Sequence, residues 1–327
     1  MAELDRRKLL KGTAAFAAVA VAGAAASSWW RTAKQPKRSV FVGKADTYDG
    51  DLSDLLRRGL LAYPTLVAEV AGRSVLLKPN FVEYHPGRPI NTDVRFVAAA
   101  VEAFRQIGAA SVVVGEGPGH FRDTDALLEH SGLGALLRDV GAPFCDLNLE
   151  PGVQTDLVAN LTKLGRLPVA RAVRTADVVV SVAKLKVHHW AGATLTMKNL
   201  FGVVPSAIVG WPKNPLHWAG IDASVVDLWT ALRPRFGIVD GIIGMEGDGP
   251  IMGTAKHAGV VIMGDDLPAV DATCCRLMGI DPDLVSYLWN APLYGGTTHA
   301  SRISLSGEPL VVNPFELPPH LGHLRAK

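Results

Sequence analysis

Five apolar runs in this sequence end in groups of side chains that could do chemistry. The groups are Lys78 with Asn80, Glu116 in a Gly-rich turn, Lys184-Lys186-His188, Asp240, and Asp265-Asp266. Lysines bind phosphate or carboxylate oxygens, histidines transfer protons, and carboxylates bind divalent metals. One polar strand end is ordinary capping, but five with complementary charges indicate a single shared site or one long cleft.

The densest group lies in "KLKVHHWAGATLTMKNLFG", residues 184–202, directly after the apolar run "ADVVVSVA". In an extended strand, alternation places Lys184, Lys186 and His188 on one face and turns His189 to the other. A row of cations beside an apolar sheet is costly unless an anion neutralises it. This row therefore predicts one wall of an anion site. The alternative is a strand that simply emerges into water near Lys184.

Further candidate ligand groups follow in "TLTMKNLFG". Thr194, Thr196, Lys198 and Asn199 offer hydroxyls, a charge and an amide, which together suit the oxygens of phosphate or carboxylate. The predicted ligand-binding set is Lys78, Asn80, Lys184, Lys186, Thr196, Lys198 and Asn199.

Three residues are candidates for proton transfer. Glu116 stands in "GEGPGH", where a carboxylate suits a proton-transfer role or a metal. His188 follows the central apolar run, and His217 lies in the long Pro- and Gly-rich segment 201–220. Irregular segments of this length are usually functional or mobile. The alternatives are an ordinary Gly-rich turn around Glu116 and a structural role for His217.

The segment "DGIIGMEGDGPIMG" threads Asp240, Glu246 and Asp248 through several glycines. Its spacing differs from that of an EF-hand, but dense glycines allow close approach of the backbone to a ligand, and carboxylates bind hard cations such as Mg²⁺. We predict a divalent metal at these three residues. A solvated turn is the alternative.

The elements that position these groups alternate along the chain. Apolar runs predict strands at 74–80, 111–119, 176–188, 236–244 and 259–264, and amphipathic patterns predict helices at 92–109, 123–141, 222–234 and 267–279. Several strand runs are rich in Val, Ile and Leu with little alternation, which is typical of parallel strands covered on both faces. The predicted fold is α/β, a mostly parallel sheet covered by helices, with a ligand cleft at the strand ends.

The first residues have the layout of an export signal. Arg6 and Arg7 precede an Ala-rich apolar run that reaches Ala26, which predicts a twin-arginine-type signal at 1–26, recognised by the twin-arginine export machinery. The remaining boundaries are a linker at 27–39, the α/β domain at 40–312 and a C-terminal tail at 313–327. An uncleaved anchor is the alternative, with the membrane contacted only through this segment. Either places the domain outside the cytoplasm.

The charge of the chain argues against nucleic-acid binding, and its cysteine content indicates packing rather than redox chemistry. The formal net charge of +2 comes from the predicted signal, so the remainder is neutral and lacks the basic surface that drives nucleic-acid binding. The three cysteines, Cys145, Cys274 and Cys275, have no CxxC spacing and form no disulfide framework. Packing as small apolar residues is the favoured role of the adjacent pair.

The motifs "LLKPN", "GEG", "KLKVH" with "TLTMKNLFG", "DGIIGMEGDGP" and "AVDA", in this order over residues 40–312, resemble the domain of unknown function 362 family. The resemblance implies that the clusters form one site. Family members often carry ferredoxin-type cysteine clusters, which this chain lacks, so no iron–sulfur cluster is expected. Val187 stands where relatives commonly have Thr, so one hydroxyl is missing.

Three hypotheses about function follow. The first is an exported enzyme that acts on a small phosphate- or carboxylate-bearing substrate with a divalent metal, with His188 or His217 moving a proton. The second is a non-catalytic protein that binds or delivers an anionic cofactor or a metal outside the cytoplasm. The third is a structural or interaction domain whose polar clusters only solvate the strand ends.

Overall fold

A nine-stranded sheet with helices on both faces forms the protein, whose computed structural model describes residues 34–119 and 123–326. The strands are β1 (Arg38–Lys44), β2 (Ser74–Pro79), β3 (Ser111–Glu116), β4 (Phe144–Asp146), β7 (Val178–His188), β8 (Gly192–Thr194), β9 (Phe236–Glu246), β10 (Thr254–Gly264) and β11 (Ile303–Gly307), with a separate hairpin of β5 (Gly152–Asp156) and β6 (Arg166–Ala170).

The helices fill the connections between the strands. They are α1 (Leu52–Leu61), α2 (Pro64–Val70), α3 (Val94–Gln106), α4 (Thr124–Ser131), α5 (Leu133–Asp139), α6 (Arg171–Thr175), α7 (Ser206–Val209), α8 (Asn214–Trp218), α9 (Ile221–Leu232), α10 (Leu267–Leu277) and α11 (Ser286–Asn290). A 3₁₀ helix at Lys198–Val203 carries part of the candidate site, and others lie at Pro282–Leu284, Ala291–Tyr294, Ala300–Arg302 and Pro319–Leu324. Across the described residues, no helix is long and apolar enough to cross a membrane.

The strand order is β11-β1-β10-β9-β7-β2-β3-β4, with β8 paired to β7. Strands β9, β7, β2, β3 and β4 are parallel to one another, and β11 is parallel to β1. Strand β10 is antiparallel to both β9 and β1, and β8 is antiparallel to β7. The predicted α/β class with a mostly parallel sheet is therefore confirmed. Because β10 is antiparallel to β9, its carboxyl end lies at the opposite end of the strands. Asp265 and Asp266, which follow β10, therefore do not join the other strand-end groups.

Strand β7 lies at the centre of the sheet and all of its residues are buried. Val178, Val180 and Val182 belong to the core on one face, and Leu185 and Val187 belong to the core on the other. The predicted alternation along this strand is confirmed. Lys184, Lys186 and His188 continue the face of β7 that carries Val178, Val180 and Val182.

Local sequence signals explain the ends of several helices. Asp93 caps α3 by accepting a hydrogen bond from Arg95 N, as its position before the apolar run predicts. The predicted single helix at 123–141 is wrong, because the chain forms α4 and α5 with a break at Gly132, whose φ of 77° suits glycine. Cys274 and Cys275 are fully buried within α10, which fits the packing role.

The predicted domain boundaries at the two ends of the chain have different outcomes. The predicted signal at 1–26 lies outside the described residues, and so does most of the predicted linker. The segment predicted as a tail contributes Phe315, Leu321 and Leu324 to the core. Its packing is explained by these three apolar side chains, which recur in an otherwise polar and Pro-rich stretch.

Candidate functional site

A cavity of about 570 Å³ opens at the carboxyl ends of β2, β3 and β7. The 3₁₀ helix Lys198–Val203, the segment that contains α8 and the β9–β10 connection complete its walls. The cationic and imidazole side chains that line it are Lys78, Lys186, His188, His189, Lys198, Lys213 and His217. The lining carboxylates are Glu83, Glu116 and Asp248. Strand ends and loops thus converge on one space, as expected for a parallel sheet.

Lys78 and Glu116 form a buried ion pair in the cavity wall. Lys78 Nζ lies 2.7 Å from the Glu116 carboxylate and also donates to Asn199 Oδ1 at 2.8 Å. Glu116 further accepts hydrogen bonds from Phe81 N at 2.7 Å and Gly117 N at 2.8 Å. With these donors in place, the Glu116 carboxylate is engaged as an acceptor. The geometry suits a positioning role better than the predicted proton transfer.

Two further lysines point buried ammonium groups toward the same space. Lys186 Nζ donates to Ile90 O at 2.7 Å, and burial, followed by the charges of Lys198 and Lys184, lowers its pKa well below the ordinary value. Lys213 Nζ donates to Asn148 Oδ1 at 2.7 Å and Ser206 Oγ at 3.0 Å, and burial lowers its pKa to about 7. Neither side chain pairs with a carboxylate in the described part of the chain.

Lys198 is held differently, because its ammonium faces an aromatic ring. Its Nζ lies 3.7 Å from the centroid of the Phe201 ring, a cation–π contact. Burial, and then the charge of Lys78, lowers the pKa of Lys198 to about 7, while Asp222 opposes the shift. Within residues 34–119 and 123–326, no oxygen acceptor lies within hydrogen-bond distance of this nitrogen.

His188 has a defined tautomer. Its Nδ1 accepts hydrogen bonds from Trp190 N at 3.1 Å and Ala191 N at 3.2 Å. Burial, with the charge of Lys198 next, lowers the pKa of His188 well below its ordinary value, so the ring is neutral at physiological pH. A neutral ring whose Nδ1 accepts must carry its proton on Nε2. His188 therefore presents a hydrogen-bond donor, which refines the predicted proton-transfer role.

His189 does not turn away from the site, so that part of the sequence interpretation is wrong. Strand β7 ends at His188, and the chain then turns into β8, so alternation no longer applies. The His188 and His189 ring centroids are 5.2 Å apart, and both rings line the cavity. His189 Nδ1 lies 2.7 Å from Gly249 O, which ties this ring to the β9–β10 connection.

His217 lies on the opposite wall, in α8. Its Nδ1 is 3.2 Å from Lys213 O, a carbonyl that can only accept, so Nδ1 carries the proton. In the neutral ring the lone pair is then on Nε2. The ring also meets Phe201 at 5.7 Å and Trp190 at 6.4 Å between centroids, with edge-to-face geometry.

Two buried polar atoms of the cavity wall are left unpaired. Asn80 Oδ1 and Thr194 Oγ1 have no hydrogen-bond partner among the described residues. Both residues line the cavity, and Thr194 lies on β8, which pairs with the end of β7. Buried polar atoms are nearly always paired, so these two are available to contact water or a polar ligand that enters the cavity.

Lys184 lies outside this cavity, contrary to the prediction. Its Nζ donates to Asp240 at 2.8 Å and Tyr48 Oη at 2.9 Å, and Asp240 also accepts from Asp93 N at 3.0 Å. Lys184 borders a second cavity of about 380 Å³. The physical reason is register: Lys184 stands directly opposite Asp240 on β9, so its charge is neutralised within the sheet.

Thr196 is also placed elsewhere. Its Oγ1 donates to Asp271 Oδ1 at 2.5 Å, and its N–H donates to the same carboxylate at 2.8 Å. Met197 N donates to the second oxygen at 3.0 Å. Burial raises the pKa of Asp271 to about 7. Thr196 therefore anchors the loop after β8 to α10 and does not face the cavity.

The three carboxylates predicted to hold a metal do not converge. Asp240 is engaged by Lys184, Glu246 accepts from Glu316 N at 2.9 Å and lies 3.6 Å from Lys256, and Asp248 is 67% exposed. Among residues 34–119 and 123–326, no group of three or more His, Cys, Asp or Glu side chains is arranged to hold a metal ion.

The structure adds two site residues, Lys213 and His189, and it also places in the cavity wall Thr194, which the sequence singled out but which was not in the predicted ligand-binding set. Lys213 lies in the irregular segment 201–220, which the sequence analysis singled out for its length. The direction of the Lys213 side chain depends on a left-handed backbone conformation, with φ of 69°, that a linear pattern does not predict. Thr194 and His189 flank a short turn whose geometry a linear pattern does not define. The predicted residues that line the cavity are Lys78, Asn80, Glu116, Lys186, His188, Lys198, Asn199, His217 and Asp248.

Comparison with known proteins places the chain in a family. The family described as Domain of unknown function (DUF362) matches residues 75–276, so the protein belongs to it. A thylakoid-associated protein of Synechocystis sp. is 27% identical over 259 residues, which cover 76% of this chain and 77% of the relative. This confirms the resemblance inferred from the motifs.

A solved structure, the lactate racemase apoprotein from Thermoanaerobacterium thermosaccharolyticum, aligns with a TM-score of 0.41 and 15% identity. The alignment covers 68% of this chain and 54% of that chain, about half its length. A similarity this low says nothing about the activity of the present protein.

Proposed function

We propose that the protein is an exported enzyme that binds a small phosphate- or carboxylate-bearing molecule in the 570 Å³ cavity. One observation carries the proposal: four buried lysines line the cavity, and a single buried carboxylate, Glu116, lies with them among its described lining residues. Glu116 pairs with Lys78, so no carboxylate in the described part of the chain lies at contact distance from the ammonium groups of Lys186, Lys198 and Lys213.

The energetics of burial support an anionic ligand. Removing an ammonium group from water costs several kcal/mol unless a counter-charge and hydrogen bonds offset it. Here the pKa values of Lys186, Lys198 and Lys213 are all lowered by burial, which expresses that cost. A bound anion would stabilise the charged form of the lysines that it contacts. Thr194 Oγ1 can donate a hydrogen bond to it, whereas Asn80 Oδ1, which only accepts, suits a hydroxyl group of the same ligand.

Catalysis, rather than binding alone, is supported by the protonation states in the cavity. Lys198 and Lys213, with pKa values of about 7, exchange protons readily at neutral pH. His188 offers a neutral Nε2–H donor that can polarise a substrate oxygen, a role known for neutral imidazoles. No step is assigned to a metal, because Asp240, Glu246 and Asp248 have separate surroundings.

A non-catalytic binding or delivery protein is the second candidate. It is favoured by the state of Glu116, the predicted catalytic carboxylate, which already accepts from Lys78, Phe81 and Gly117. The same lysines would hold the ligand, and the two candidates differ in turnover. Export through the twin-arginine route belongs to both and rests on Arg6 and Arg7 before the apolar run.

Isothermal titration of the full chain with sulfate and with inorganic phosphate tests the proposal. Lys186→Met should weaken anion binding by about tenfold or more, since a charge-assisted hydrogen bond contributes about 1.5–3 kcal/mol. Lys256→Met is the matched control, because this partly exposed lysine of β10 lies outside the cavity lining. Circular dichroism checks that each variant is folded. Absence of binding to the wild type, or equal affinity in both variants, would contradict the proposal.

A further inference from the structure

We propose that Lys198 is a nucleophilic amine that forms an imine with an aldehyde or ketone group, so that the substrate is a carbonyl-bearing anion. This inference rests on the proposed function, since it assigns a substrate class and a reacting atom to the same cavity. It concerns the 3₁₀ helix Lys198–Val203, which brings the lysine into the wall between β2 and β7.

The four lysines of the cavity differ in how their nitrogens are engaged. Lys78 is bound to Glu116 and Asn199, Lys186 to Ile90 O, and Lys213 to Asn148, Ser206 and Val204. Within the described residues Lys198 Nζ makes no hydrogen bond to an oxygen; it lies 3.7 Å from the centroid of the Phe201 ring, and the charges of Lys78 and Asp222 act on it from beyond hydrogen-bond distance. A nitrogen that already donates to several oxygens must lose those contacts before it reacts. Lys198 can approach a bound carbonyl carbon without that loss.

The surroundings of Lys198 also favour the neutral amine. A lysine becomes a nucleophile when an apolar site or a nearby cation lowers its pKa. Both causes are present, because burial and the charge of Lys78 lower the pKa of Lys198 to about 7. The neutral amine of Lys198 is therefore accessible near neutral pH, whereas an exposed lysine is almost fully protonated there.

The reaction balances without an oxidant, a reductant or any other co-reactant. The lone pair of Lys198 Nζ attacks the carbonyl carbon, and the π electrons move onto the carbonyl oxygen. The carbinolamine then loses that oxygen as water, which takes both hydrogens of the amine, and a C=N bond remains. His188 Nε2–H is suited to donate to the oxygen while it gains charge, and Lys186 is suited to hold the anionic group.

Reductive trapping tests this assignment. The full chain is incubated at pH 7 with cyanoborohydride and either pyruvate or glyceraldehyde 3-phosphate, which carry a carboxylate and a phosphate beside a carbonyl. Intact mass and peptide mapping should show one adduct, located at Lys198. Lactate, an anion without a carbonyl, should give no adduct.

Two variants separate the reactive lysine from the rest. Lys198→Arg keeps the positive charge but cannot form an imine, so the adduct should fall at least tenfold. Lys256→Arg, outside the cavity, should label like the wild type. If sulfate binds but neither carbonyl probe labels Lys198, or label is spread over surface lysines, the imine assignment is overturned and the proposed function stands. If sulfate does not bind, the proposed function fails first.

Discussion

Lys184 and Lys186 lie two residues apart on the same face of β7, and both are buried, but among the described residues only Lys184 has a carboxylate partner. Lys184 stands opposite Asp240 on β9, and Tyr48 completes a closed hydrogen-bonded group. After that pair the register between β7 and β9 shifts, and Lys186 stands opposite Met245. The bulge therefore separates a lysine that stabilises the sheet from one that is left with uncompensated charge at the cavity.

The difference shows that burial alone does not identify a binding lysine. Both side chains meet the sequence criterion of a cation at the end of an apolar strand. What distinguishes them is whether the protein itself supplies the counter-charge. A lysine whose partner is missing from the fold is the better indicator of a ligand.

Asp240→Asn should give the largest effect on stability, because it removes the counter-charge of Lys184. Breaking a buried pair by changing one partner costs about 3–5 kcal/mol of unfolding free energy. Urea unfolding measures this loss. The double variant Lys184→Met with Asp240→Leu removes both charges and should recover most of it. Equal stability of Asp240→Asn and the wild type would show that the Lys184–Asp240 pair does not stabilise the fold, which would contradict the contrast with Lys186.

Sulfate affinity should fall as pH rises through 7, because the cavity lysines bind anions only when protonated. The pKa values of Lys198 and Lys213 are about 7, so affinity should drop about tenfold between pH 6 and pH 8 for each lysine that must be charged. Sulfate keeps a constant charge over this range. Lys198→Met should reduce the steepness of the pH dependence, measured by titration calorimetry. A pH-independent affinity would show that these lysines are not the anion ligands.

Thr196→Val should lower stability without changing anion affinity. The hydroxyl donates to the buried Asp271, and one such hydrogen bond contributes about 1–2 kcal/mol. Urea unfolding and sulfate titration of the same sample separate the two quantities. A large loss of sulfate affinity at unchanged stability would return Thr196 to the ligand-binding set.

Glu246→Gln should have the smallest effect. Its carboxylate meets Glu316 N and the partly exposed Lys256, so the change in unfolding free energy should stay below about 1 kcal/mol. Sulfate affinity and any Mg²⁺ binding, measured by calorimetry, should be unchanged. Loss of Mg²⁺ binding in this variant alone would restore the metal hypothesis based on Asp240, Glu246 and Asp248.

Much of the fold was predictable because its signals are local. Apolar runs marked β2, β3, β7 and β9, and the amphipathic pattern predicted at 92–109 marked α3. Alternation along β7 also gave the face that carries Lys186 and His188. The break at Gly132 was missed, because the amphipathic pattern continues across it.

The site was predictable only where position in the sheet decides it. Lys186 and Lys198 were found because they follow the end of an apolar strand. Lys184 and Thr196 were misplaced because their partners, Asp240 and Asp271, are distant in sequence and meet them only through strand register and helix packing. Lys213 was missed because its direction depends on the backbone of an irregular segment.

Under the proposed function, ligand entry would be a proton-uptake event, because the cavity contains lysines whose pKa values lie near neutral pH. Lys198 and Lys213 have pKa values of about 7, and an arriving anion stabilises their charged forms. Each binding event then draws protons from the surrounding solution, in proportion to the neutral amines present. Occupancy of the cavity is consequently coupled to the acidity of the compartment in which the protein resides, even for a ligand whose own charge does not change.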